Sequence, residues 1–143
     1  MPDPRQAFLD DVRRYIEAGE RLATEVFAFN RMNQGALEDL EGGMSITESF
    51  RVRDSAGWSR RISSLLDDFE ACRRETRNSA AAALLEEGRT VTDIGRAFGV
   101  SHQLASRFAK GAAATGLLGD AVPDGVGVGD GDVPGGQPES AAR

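Results

Sequence analysis

The chain has 143 residues, 40% of them apolar and 6% aromatic, with a formal net charge of −6. That is room for one domain, or for two small ones and a tail, around a modest helical core. A single cysteine, Cys72, excludes an internal disulfide and fits a reducing cytoplasm, while no apolar run reaches the length of about 18 residues that a membrane span needs. With one His and one Cys, neither a four-ligand structural zinc site nor a Cys/His nucleophile pair can be assembled, and no phosphate-binding glycine loop is present. No catalytic residue, metal ligand or cofactor site is therefore expected, and the start Met1-Pro-Asp-Pro-Arg5 lacks the layout of a signal peptide.

In chain order, Asp3 caps a helix with Pro4 at its first position. Phe8, Val12, Tyr15, Gly19, Leu22, Val26 and Phe29 then recur at alternating steps of four and three, a heptad-like seam widened by Leu9, Ile16 and Ala23. Residues 33–55, with Gly35, Gly42, Gly43 and polar clusters, read as a connector. Within it, Ser45-Ile-Thr-Glu48 is a capping-box signature for a short helix to about Arg53. Trp58, Ile62, Leu65, Phe69 and Cys72 form a second seam of the same rhythm. The two seams predict an antiparallel helical hairpin over 1–72. Its many large side chains imply a homodimer that buries them in a four-helix core. Adjacent acids at Asp10-Asp11, Asp67-Asp68 and Glu86-Glu87 point apart on a helix and read as solvated.

The second seam leads through Arg73, Arg74 and Arg77 into Asn78-Ser-Ala-Ala-Ala-Ala-Leu-Leu-Glu-Glu-Gly88, strongly helical with Gly88 as a stop. Thr90-Val-Thr-Asp-Ile-Gly-Arg-Ala-Phe-Gly-Val-Ser-His-Gln-Leu-Ala-Ser-Arg-Phe-Ala-Lys110 is the most specific stretch of the chain. Thr90 and Asp93 make a capping-box pair, Ile94 and Phe98 share a face, and Gly99 suits the left-handed end of a helix. Val100 tucks into the turn. Ser101 caps the next helix, where Ala105 and Phe108 continue the buried stripe. From Gly116 onward glycine, proline and aspartate dominate, which predicts a disordered tail over 117–143.

The segment 76–112 resembles the helix-turn-helix of bacterial repressors and of the three-helix domains of resolvases. Gly95 stands where that pattern prefers alanine, and Ala105 where it prefers Ile or Val. The resemblance implies a three-helix DNA-binding unit over 73–116 whose second motif helix enters the major groove of double-stranded DNA. His102, Gln103, Ser106 and Arg107 would read base edges, and Thr92, Ser101 and Lys110 would contact phosphates. Charge agrees with that placement. Residues 73–116 hold seven basic and four acidic side chains, net +3, whereas 1–72 is −5 and 117–143 is −4.

The expectation is thus an all-α protein: a long N-terminal helical hairpin, a helix-turn-helix unit and a disordered tail. Its function would be that of a cytoplasmic, homodimeric, sequence-specific transcriptional regulator binding a short palindrome. The rival expectation is a protein-interaction adaptor, a polymerase partner or antitoxin-like binder, that uses the same fold and its exposed N-terminal helices.

Overall fold

The computed structural model describes residues 2–118, so the expected disorder of the tail falls, from residue 119 on, outside the described residues. Among the described residues there are five helices and no strand: α1 (Pro4–Glu41), α2 (Ile46–Val52), α3 (Ser55–Glu86), α4 (Val91–Phe98) and α5 (His102–Ala114). The protein is all-α, and none of these helices is long and apolar enough to cross a membrane.

α1 starts where the sequence places it, with the Asp3 carboxylate accepting from the Arg5 N–H at 3.0 Å and Pro4 in the first turn. It ends later than expected. Residues 33–41, read as the start of a connector, continue the helix through Gly35. The reason is tertiary. Arg53 lies across this turn, its Nη2 donating to the Gly35 carbonyl at 3.2 Å and its Nε to the Asp39 carboxylate at 2.8 Å. A Cβ at Gly35 would come within 2.7 Å of the guanidinium carbon, so the glycine makes room for the brace. That contact offsets the roughly 1 kcal/mol by which glycine disfavours a helix interior relative to alanine. The same pairing holds the Asp39 carboxyl below the ordinary carboxylate range.

The remaining connector is short. The Ser45 hydroxyl accepts from the Glu48 N–H at 3.2 Å and begins α2, which the sequence anticipates. Asp54, at φ 50, then caps α3 by accepting from the Gly57 N–H at 3.3 Å. A short polar side chain tolerates this left-handed backbone better than most.

α3 returns antiparallel along α1. Tyr15 packs on Phe69 with ring centroids 4.9 Å apart, and Phe29 on Trp58 at 6.1 Å. Near the base of the hairpin the Thr76 hydroxyl donates to the Asp11 carbonyl at 3.3 Å. The α3 side of the seam, Trp58, Ile62, Leu65, Phe69 and Cys72, is half-buried throughout, as its spacing predicts. The α1 side differs. Its covered column is Phe8, Asp11, Tyr15, Ala18, Leu22, Glu25, Phe29 and Met32, so Val12, Gly19 and Val26 lie at its margin. α1 carries two apolar columns one residue apart, and one partner helix can cover only one of them.

That register also buries Asp11, which the sequence reading left in solvent. Its relative exposure is 7%, and its charge is met by an ion pair with Arg14, whose guanidinium is held above its ordinary pKa by the bond.

α3 runs without a break past residue 72, and its later part joins α4 and α5 in a second core. Ala81, Ile94 and Ala105 are fully buried with Phe108 nearly so, and Leu84, Leu85, Val91, Phe98, Val100 and Leu104 pack around them. Phe98 meets Phe108 edge-on at 5.7 Å. Four consecutive alanines, Ala80 to Ala83, are buried here, because small side chains let the two later helices come close. Ile94→Ala should lower the unfolding free energy by about 2–5 kcal/mol in urea titrations, the range for a buried Ile cut to Ala.

Candidate nucleic-acid interface

The turn between α4 and α5 is built by four local devices that the sequence shows directly. The Thr90 hydroxyl accepts from the Asp93 N–H at 3.2 Å while the Asp93 carboxylate accepts from the Thr90 N–H at 3.0 Å, a reciprocal capping box. Gly99 closes α4 at φ 64, in the left-handed region that glycine enters without a Cβ clash. The Ser101 hydroxyl accepts from the Leu104 N–H at 3.2 Å and opens α5. Gly95 supplies the last device. A Cβ there would lie 3.2 Å from the Val100 carbonyl and 3.5 Å from the Ala105 Cβ, so the small residue sets how closely the turn folds onto α4.

α5 is gripped on two sides, by α4 and by the later part of α3. At the α3 side, Asn78 sits over Gly111, where a Cβ would come 2.8 Å from its amide carbon. This two-sided contact gives α5 a wide buried arc of Ala105, Ser106, Phe108, Ala109 and Ala112. Ser106 is therefore a correction to the sequence reading. At 8% exposure it belongs to the packed face of α5, where the sequence places it on the outer one. The sequence places the helix through 78–88 against Ile94 and Phe108, and that contact widens the inner stripe of α5 beyond Ala105 and Phe108.

The other expected residues are on the outside. His102, Gln103, Arg107 and Lys110 are exposed on α5, as are Ser101 at its cap and Thr92 on α4. Gln103, Arg107 and Lys110, spaced by four and three, share one face of α5. α5 contains no acidic residue, and among the described residues neither Arg107 nor Lys110 enters an ion pair.

The three arginines ahead of the unit separate by environment. Arg73 bonds Glu70 at 3.1 Å and half-buried Arg77 lies 5.5 Å over the Phe108 ring, whereas Arg74 is exposed. Sequence reasoning passed over Arg89 and Arg96, which are exposed at the α3–α4 turn and on α4. Arg96 leans toward Asp93 at 3.7 Å with its side chain 78% exposed, a pairing that surface solvent keeps weak. The only signal available for these two was their charge beside the capping box.

Comparison with protein-family models, curated proteins and solved structures returns no match. Among the described residues no group of His, Cys, Asp and Glu is arranged to hold a metal ion.

The hydrogen bonds from the Thr90 backbone and hydroxyl hold the Asp93 carboxyl below its ordinary value of 3.8. Its contribution is complete above that value and is lost as pH falls through the lower folded-state pKa. Asp93→Ala should therefore lower the urea midpoint at neutral pH. The gap to the parent should narrow as pH falls below 3.8 and close once the carboxyl is protonated in both states.

Proposed function

We propose that this chain is a sequence-specific DNA-binding transcriptional regulator that works in the cytoplasm as a homodimer on a short palindromic site. One observation carries the reading: α5 presents an acid-free outer face of His102, Gln103, Arg107 and Lys110, inside the only net-basic part of an acidic chain. The doubly capped turn and the Gly95 approach support a helix-turn-helix arrangement in which α5 is the recognition helix. Arg107 would pair with guanine and Gln103 with adenine, with His102 at the groove floor near the helix start. Thr92, Ser101 and Lys110 would hold phosphates, joined by Arg89 and Arg96. The net charge of +3 over 73–116 is small, so one copy would bind weakly and two copies would be needed for tight binding.

A second reading has one observation in its favour. Leu37, Ile46, Phe50 and Val52, around the hairpin tip, are each more than half exposed, which suits a protein-binding adaptor. The two readings separate in a salt series of DNA-binding isotherms on fragments selected from a random pool. For a regulator, affinity falls steeply with salt, Arg107→Ala costs about 1–3 kcal/mol of specific binding, and Phe50→Arg leaves it unchanged. Parent and Arg107→Ala proteins binding the selected fragment equally would overturn the regulator reading.

A further inference from the structure

The hairpin has two long sides of opposite character. One is a groove bordered by Glu17, Glu20, Arg21, Thr24 and Arg61. The other carries the second apolar column of α1, Leu9, Val12, Ile16, Gly19, Ala23 and Val26, again at alternating steps of three and four, with Val12 and Gly19 half-buried at the edge of α3 and the other four exposed. Leu9 is 40% exposed, Ile16 56% and Val26 36%, with Phe27 at 68% and Leu66 of α3 at 46% beside them. The column stops where Asn30 and Asn33 occupy its next two positions.

We propose that this second column is the dimer interface, packed antiparallel against the same column of a second copy of this chain. The inference rests on the homodimeric DNA-reading function and specifies the surface and orientation behind it. Three observations point to a second copy in that orientation.

First, the column is complementary to its own reverse. Turned end for end about a point between Glu17 and Ala18, it sets Leu9 against Val26, Val12 against Ala23 and Ile16 against Gly19. In the two inner pairs a larger side chain then meets a small one, Val12 on Ala23 and Ile16 on Gly19, as knobs entering holes require. A parallel pairing would set Gly19 against Gly19 and Ala23 against Ala23, leaving voids.

Second, nothing within one chain demands glycine at position 19. A Cβ there would meet only Phe69, at an ordinary 3.5 Å, and glycine weakens a helix interior relative to alanine. Its bare backbone, at the edge of the α1–α3 seam beside Phe69, leaves room that Ile16 of a second copy would enter.

Third, the area is of the right order. The five large side chains leave roughly 500 Å² accessible per chain, near the upper limit for one apolar patch on a lone protein. That is the larger part of the roughly 800 Å² per partner that a standard interface buries.

The arrangement also has a consequence for DNA. Thr76 sits level with Asp11, so Ala81, in the second core, lies level with the first turns of α1. At about 1.5 Å per residue, the two DNA-binding units would be roughly 35–40 Å apart, close to the 34–36 Å of one turn of DNA.

The test is sedimentation equilibrium of the full chain without DNA, followed by cysteine crosslinking. The parent should sediment at twice 15.3 kDa. Ile16→Arg and the milder Ala23→Arg, both at exposed positions, should give folded monomers by circular dichroism, and Phe50→Arg at the tip should stay dimeric. In a Cys72→Ser background, Leu9→Cys mixed with Val26→Cys should form a mixed disulfide, whereas Leu9→Cys alone should form none. A monomeric parent, a dimeric Ile16→Arg or Ala23→Arg protein, or a monomeric Phe50→Arg protein overturns the interface, and self-crosslinking of Leu9→Cys overturns the orientation. A dimer that ignores DNA would instead sink the regulator reading and leave the interface standing.

Discussion

The unbroken run of α3 from Ser55 to Glu86 is the constraint on which the rest of the structure depends. One helix serves two cores, lining α1 with aromatics in its first part and receiving α4 and α5 on buried alanines in its second. A helix of this length is stiff along its axis, so the hairpin and the three-helix unit are coupled by covalent helix. The alanine run makes this possible twice over. It is the strongest helix-forming composition available, and its small side chains let neighbouring helices approach without strain.

The outer face of α5 follows from that packing. Because α3 and α4 both grip α5, only a narrow strip is left for solvent, and that strip carries Gln103, Arg107 and Lys110. A helix held on two sides presents its free side chains at a defined angle, which reading base edges requires. The hairpin shows the opposite situation. Its helices are covered on one side each, so large apolar side chains remain in water along α1 and at the tip. Burying them is the main favourable term still open to the chain.

Much of this was legible from local pattern. The caps at Asp3, Ser45, Thr90 and Ser101 and the left-handed Gly99 are each decided within four residues, and each is where short-range rules put it. The inner residues Ile94, Ala105 and Phe108 followed from helical periodicity for the same reason. What escaped were features that depend on a distant partner: Gly35 kept helical by Arg53, Asp11 buried against α3 and paired with Arg14, and Ser106 turned inward.

The sequence by itself determined the helical class, the paired seams, the capped turn and the segregation of positive charge into residues 73–116, because these rest on spacing and composition within a turn or two of helix. Only the tertiary structure decided which of the two apolar columns of α1 faces α3 and which side of α5 is left open. The first is a choice between columns that are nearly equal in hydrophobicity, the second turns on how wide an arc of α5 is covered, and both are settled by which neighbouring helix arrives and how closely its side chains let it pack.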